Sequence, residues 1–413
     1  MAGLRQVDYL IVGGGIAGTT AAETIRERSA GRVMIVSDER HFLYSRVRLP
    51  DYVTGRIPRE KVFIKEEGWY HERGIELLWE TTVISILPKD QQILLSNGTV
   101  VHYQRLLLST GGTLRRLKCE GCALEGIYYL RTIEDAEALR EAIQRSKRAV
   151  VVGGGFIGLE LARCFIHGGL ETVMVMMEPR FWPLALDEES GKMIEAALQS
   201  QEIARHYSNQ VSALKGNRSV QQVVLASGKS HECDMAGVGV GIEASHSFIR
   251  SSDIEVRRGV LTDEYLRTSD PQVFAAGDVA EFYDVSRSQH NQIGNWSNAS
   301  EQGKVAALNM LDEKTVYKFV SNYVIRVFGL SIAFVGDTAL LPGTQVIRRG
   351  STHDGGYGRL LVRDGAIKGA TLLNRPHEMR PIVELIKSGL NIDRFWSDLA
   401  NVNFDLGCFA ASA

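Results

Sequence analysis

Two stretches of the chain share one rhythm of apolar and polar positions. Asp8 to Val12 is a short, mostly apolar run, and glycines follow at 13, 15 and 18. Next comes "TTAAETIRER", alanine-rich, with Ile25 on one side and charges on the other; the chain then returns to the apolar run "RVMIVS", which leads to Asp38. From Arg148 the order repeats as "AVVV", glycines at 153, 155 and 158, the helix-like "LELARCFIHGG", the apolar "TVMVMM" and Glu178. Each copy predicts strand, tight turn, helix and second strand. After about Thr315 the period changes. "YVIRVFGLSIAFVGD", "TQVIRRGS" and "YGRLLVRDGAIKGATLL" alternate apolar and polar residues around turns such as Asp364-Gly365, which predicts antiparallel sheet. "MRPIVELIKSGL" from Met379 reads as a short amphipathic helix.

The spacing of the glycines gives each turn a chemical meaning. In G-x-G-x-x-G the first glycine permits the tight turn, the second lets a pyrophosphate approach the backbone, and the third lets the helix pack closely on the strand. The helix N-terminus presents unpaired N–H groups to the phosphates. An acid at the end of the second strand accepts hydrogen bonds from a ribose. Asp38 lies 20 residues beyond Gly18, and Glu178 lies 20 residues beyond Gly158. One such motif is weak, because glycine is common in turns. Two of them, each bracketed by strand, helix, strand and a correctly spaced acid, point to two dinucleotides, a tightly held flavin and a nicotinamide donor.

Composition narrows the class. A chain of 413 residues exceeds one ordinary core, so two or three domains are expected. The net charge of −2 gives no sign of a nucleic-acid partner, and no stretch approaches the roughly 18 apolar residues of a membrane span. Five cysteines, an odd number in a large chain, argue against a disulfide-built secreted fold and for a reducing cytoplasm.

With both turns in place, the chain resembles the FAD-dependent pyridine nucleotide reductases, closest to the reductases of rubredoxins and ferredoxins and to the flavin module of NADH-dependent nitrite reductases. Specific motifs carry the resemblance over residues 5–312: "HFLYSRVRLPDYVTG" at 41–55, "LLLSTGG" at 106–112, "YYLRTIEDAEALREAI" from Tyr128, "VFAAGDVAE" at 273–281 and "NWSNASEQGKVAALNML" from Asn295. The resemblance implies an α/β fold with two Rossmann-like domains, the NAD domain (113–239) inserted in the FAD domain (1–112 and 240–312), and an α+β C-terminal domain (313–413). That last domain often forms a dimer interface in the family.

It also implies site residues. For FAD these are Gly13, Gly15, Ile16, Ala17 and Gly18, the acids Asp38 and Glu39, Arg46 toward the phosphates, Val83, Thr110, Gly111, Arg131, Gly277, Asp278 toward the ribityl hydroxyls, and Trp296 near the isoalloxazine. For NAD they are Gly153, Gly155, Phe156, Ile157, Gly158, Glu178 and Gly241. Glu160 and Trp296 would stand beside the reacting rings. Blander readings stay open: Asp278 as a helix cap, Trp296 as packing, Arg46 as a solvated charge, Arg131 paired with Glu134 or Asp135, and Glu160 as a helix-surface charge.

The implied activity is transfer of hydride from NADH to flavin and of electrons onward to a small redox protein such as rubredoxin or ferredoxin. A cysteine-independent oxidase or small-molecule reductase, and a flavoprotein subunit of a larger complex, are the alternatives. Glu178 would repel a 2′-phosphate and favours NADH, whereas Arg180 leaves NADPH open.

Two departures from the family matter. No cysteine occurs at 41–50, where the disulfide branch carries its thiol, so electrons must leave the flavin directly. Asp51 stands where many relatives have a lysine that pairs with the glutamate matching Glu160; either Glu160 is left alone or another cation substitutes. "KCEGC" at 118–122 reads as two free surface thiols, since one pair supplies only half of a zinc site.

Overall fold

The computed structural model describes residues 4–244, 246–249 and 252–409, and they form two compact units. The first comprises Met1–Arg48, Ile57–Leu114 and Ile242–Phe319. Its main sheet places the strand Leu4–Val12 between Val33–Val36 and Val100–Leu108, all parallel, with Ile75–Leu78 outside Val33–Val36 and Val273–Ala275 beside Val100–Leu108. An antiparallel hairpin, Val83–Leu87 and Gln92–Leu95, continues the sheet.

Leu10, Val12, Met34 and Val36 fill one face, and Ile11, Val33 and Ile35 the other. Burial of both faces is why these strands read as unbroken apolar runs. The helix Ile16–Arg26 lays Ala17, Ala21, Ala22 and Ile25 on the second face. A second helix, Trp296–Met310, packs on it so closely that a Cβ at Gly303 would fall 2.1 Å from the Ala17 carbonyl oxygen.

The second unit comprises Leu49–Arg56, Arg115–Gly241 and Val320–Ala413. Its parallel sheet runs Ala204–His206, Glu171–Val175, Arg148–Val152, Met235–Val238, Ile127–Tyr128. The helix Ile133–Arg145 opens on a capping box between Thr132 and Asp135. The expected antiparallel sheet is present with five strands, in the order Asn322–Val327, Leu330–Gly336, Ala366–Leu373, Gly356–Arg363, Gln345–Ser351. Asp364 (φ 52°) and Gly365 (φ 68°) turn the last hairpin with the left-handed pair that a tight hairpin demands.

The helix Met379–Ser388 buries Ile382 and Leu385 against this sheet. Arg349, 2% exposed, holds the closing segment by donating to Glu378 (2.7 Å) and to the carbonyls of Leu399 (3.1 Å) and Phe404 (2.6 Å). No helix among the described residues is long and apolar enough to cross a membrane.

Candidate flavin and nicotinamide sites

In the first unit the chain leaves the strand Leu4–Val12 through Gly13 at φ 111°, and a Cβ there would lie 2.3 Å from the Ser109 carbonyl oxygen. Only glycine fits. Gly15 is the N-cap of the helix Ile16–Arg26 and has no side chain with which to cap it. A Cβ at Gly15 would meet nothing within 4 Å, whereas one at Gly18 would strike the Gly13 carbonyl oxygen at 2.0 Å. The three glycines therefore divide into a turn, an open approach to unpaired N–H groups, and a close helix contact. Such an arrangement can cradle a pyrophosphate.

Of the remaining residues assigned from sequence to this unit, Asp38, Thr110, Gly111, Gly277 and Asp278 follow the ends of three parallel strands of the main sheet. Asp38 is exposed just past the end of Val33–Val36. Glu39 accepts from the Tyr44 hydroxyl (2.7 Å) and is ion-paired with Arg46, which also donates to the Tyr44 oxygen (2.9 Å). Burial disfavours the Arg46 charge, but Tyr44, Glu39 and Asp278 together carry its pKa upward, so the cation is secure. Thr110 and Gly111 (φ 67°) follow Val100–Leu108, and Val83 is buried at the start of its hairpin.

Gly277, at φ 83°, donates its N–H to the buried Gln302 side chain (2.7 Å), and the Asp278 carbonyl accepts from Gln292 (2.8 Å). Asn295, not Asp278, caps the helix that Trp296 begins, its side chain accepting from the Asn298 N–H at 2.8 Å. Trp296 is half-buried.

The second unit repeats the cradle. Gly153 has φ 114°, and a Cβ there would meet the Gly239 carbonyl oxygen at 2.4 Å; one at Gly155 would meet nothing within 4 Å; one at Gly158 would meet the Gly153 oxygen at 2.0 Å. Gly155 is the uncapped N-cap of Phe156–His167. Ile157 is partly exposed in the first turn, Gly241 (φ 100°) follows the neighbouring strand Met235–Val238, and Glu178 is exposed beyond Glu171–Val175. Arg180 is committed elsewhere, donating to the Pro183 carbonyl (3.1 Å) and to that of Leu186.

Sequence reasoning did not foresee the aromatic surroundings of Phe156. Its ring lies 5.0 Å from Trp182, 5.1 Å from Tyr323 and 5.7 Å from Phe334, and Trp182 holds φ 42° to reach that place. Tyr323 and Phe334 come from the C-terminal sheet, more than 160 residues along the chain, so nothing local signals them.

Glu160 is not left alone. Arg163, one turn later on the same helix, donates to its carboxylate at 2.7 Å and to Asp51 at 3.0 Å. Burial pushes the Glu160 carboxyl above its ordinary range and Asp51 adds to the rise, while Arg163 and Arg56 oppose it. The Arg131 amide donates to Asp135 (2.9 Å) at the start of its helix. Cys119 is half-buried and Cys122 exposed on one turn; all five cysteines are free thiols, and no group of three or more His, Cys, Asp or Glu among the described residues could hold a metal ion.

Two open glycine cradles on two parallel sheets define a protein that binds two dinucleotides. Residues 7–303 match the family model described as pyridine nucleotide-disulphide oxidoreductase, and the chain belongs to that family. It is an FAD-dependent oxidoreductase that draws on a nicotinamide nucleotide. The chain is 29% identical to the ferredoxin–NAD(+) reductase component of the biphenyl dioxygenase system of Paraburkholderia xenovorans strain LB400, over 92% of this chain and 93% of that protein. It is 31% identical to a monodehydroascorbate reductase of Solanum lycopersicum, over 93% and 94% of the two. Among solved structures, the ferredoxin reductase for the CYP199A2 system of Rhodopseudomonas palustris superposes with a TM-score of 0.90 at 27% identity, covering 98% of this chain and all of that one.

Proposed function

We propose that the chain binds FAD through its first cradle and NADH through its second, and passes electrons singly to a small iron–sulfur protein of the rubredoxin or ferredoxin kind. The observation that carries this reading is the pair of open cradles in a chain with no thiol at 41–50. Similarity to two ferredoxin reductases supports the choice of acceptor. In this reading residues 1–112 and 240–312 form the FAD domain, 113–239 the NAD domain, and 313–413 an interface domain through which two copies pair. Five unbridged thiols favour the cytoplasm.

When bound, the flavin supplies the chemistry, accepting hydride and releasing single electrons. The chain's own residues bind and align. The N–H groups at the starts of Ile16–Arg26 and Phe156–His167 hold pyrophosphate. Arg46 adds positive charge at the first cradle, with Glu39 and Tyr44 fixing its orientation. Asp278 holds the ribityl hydroxyls, on a backbone pinned by Gln302 and Gln292. Asp38 and Glu178 accept from ribose. Glu160 orients the nicotinamide side of the site. No side chain need move a proton, and alignment provides the rate.

Anaerobic stopped-flow mixing with NADH, followed by addition of a rubredoxin or a [2Fe–2S] ferredoxin, tests the reading. Flavin bleaching followed by reoxidation on addition of either protein is expected. A chain that takes up no FAD, or whose flavin NADH does not reduce, overturns it. Similarity to monodehydroascorbate reductase favours a second reading, a small organic one-electron acceptor. Fast reoxidation by monodehydroascorbate and none by the iron–sulfur proteins selects it.

A further inference from the structure

The second unit buries a single guanidinium between two carboxylates. Arg163 is 7% exposed, its Nε lies 2.7 Å from Glu160 Oε2, and its Nη1 lies 3.0 Å from Asp51 Oδ1. Arg56 stands 3.8 Å from Asp51 on the solvent side. Cys164, next to Arg163, directs its sulfur at the Pro50 carbonyl (3.7 Å). An i,i+3 pair on an open helix face stabilises little. This one is withdrawn from water, and each carboxylate has its own edge of the planar fork, a geometry that a lysine cannot reproduce.

Arg163 thereby opposes the protonation that burial favours at Glu160 and fixes the direction of its carboxylate. The helix that carries both residues is the one that Gly155 opens, so Glu160 lies just over one helical turn from the second cradle. Without Arg163, burial and the neighbouring Asp51 would both favour a proton on Glu160.

We infer that Arg163 is a positioning residue for the nicotinamide site: it holds Glu160 as an oriented anion and ties the segment Leu49–Arg56 to the cradle helix. This inference rests on the reading of Glu160 as a nicotinamide-side residue. The Asp51–Arg163 distance also means that a cation placed at 51 would reach the space the guanidinium fills. A cation supplied from 51 can therefore stand in for the guanidinium when position 163 is uncharged.

The test uses FAD-loaded Arg163→Met, Arg163→Lys and the double variant Asp51→Lys/Arg163→Met. Infrared difference titration, with Glu160→Gln/Arg163→Met as the blank, follows the proton on Glu160; the other charges facing it are Arg163, Asp51 and Arg56. Arg163→Met is expected to move protonation of the Glu160 carboxyl to higher pH than in the wild type, because burial and Asp51 then act with only Arg56 opposing them. Its flavin reduction by NADH should fall about tenfold at pH 7, the order of one charge-assisted contact, and should recover as pH rises. FAD occupancy should be retained. Arg163→Lys should recover only part of the rate, and the double variant should restore the wild-type titration.

An unchanged Glu160 titration in Arg163→Met overturns the inference, as does a double variant no better than the single. So does equal loss of thermal stability in all three variants with the pH profile of the remaining rate unchanged, which would make the contact structural only. The titration reads Glu160 whether or not NADH reduces the wild-type flavin, so a failed donor reading stays distinguishable from a failed positioning role.

Discussion

At Glu178 the choice between the two nicotinamide nucleotides comes down to one charge. The carboxylate is exposed where a ribose acid is expected, and the nearby cation Arg180 already donates to the Pro183 and Leu186 carbonyls. A 2′-phosphate would meet the acid without the compensating arginine, a penalty of about 1–3 kcal/mol. NADH is therefore expected to exceed NADPH in kcat/KM by about tenfold or more, and Glu178→Gln should narrow the ratio mainly by improving NADPH; a ratio at or below one overturns this reading.

Asp278 offers a second single-residue test. Gln302 and Gln292 hold the backbone at 277–278 independently of the Asp278 side chain. Asp278→Ala should therefore lose FAD on dialysis while its far-ultraviolet circular dichroism stays unchanged. Full occupancy would show that the carboxylate holds no ribityl group. The fingerprint glycines were legible from sequence because their spacing is local: Gly18 and Gly158 avoid the Gly13 and Gly153 oxygens within the same turn, although Gly13 and Gly153 themselves make room for the distant Ser109 and Gly239 carbonyls. Arg163 was not legible, because its partner Asp51 is 112 residues away and a charge on a helix reads as surface.

Elements depend on contacts that the hydrophobic pattern only partly encodes. The pattern marks the helices Ile16–Arg26 and Trp296–Met310 separately, but not their crossing at Gly303. A methyl group 2.1 Å from the Ala17 oxygen must push the two helices apart. Gly303→Ala is accordingly expected to destabilise the first unit by about 1–3 kcal/mol and to loosen FAD, both read by thermal unfolding with and without added cofactor. An unchanged Tm would mean that the helices shift freely.

The loop after Glu178 is anchored in a way the sequence hides completely. Asp187 caps the helix Glu188–Gln199 and accepts from the Tyr357 hydroxyl at 2.8 Å, and Arg359 donates to the Ala185 carbonyl at 3.0 Å. Burial alone would raise the Asp187 pKa, but the Ser190 amide and hydroxyl, Tyr357 and Arg359 outweigh it and hold the group below its ordinary value. A depressed carboxylate contributes its full stability above the ordinary aspartate pKa of about 3.9 and loses it as pH falls through the lower folded value. Asp187→Asn should flatten the acid limb of the stability curve; an unchanged limb would assign acid unfolding to other groups such as Glu378, also held low.

For the molecule as a whole, the order of motifs along the chain led to an expected insertion, and the first unit is indeed built from segments on both sides of Arg115–Gly241. The grouping of Leu49–Arg56 with the second unit was not readable, because nothing in its composition says which core it joins. The same scale decides how electrons leave. A thiol relay requires a thiolate, and burial pushes Cys164 and Cys233 each up to about 12. Burial, then Cys122 and Glu120, raise Cys119 as well. Replacing all five cysteines with alanine is therefore expected to leave NADH-driven reduction of ferricyanide within several-fold of wild type, with Cys164→Ala, at 1% exposure, carrying most of any stability loss. The contrary outcome is specific. If replacing Cys119 and Cys122 alone abolished acceptor reduction while NADH still bleached the flavin, electrons would be passing through the turn at 118–122, and direct transfer from flavin to acceptor would be wrong.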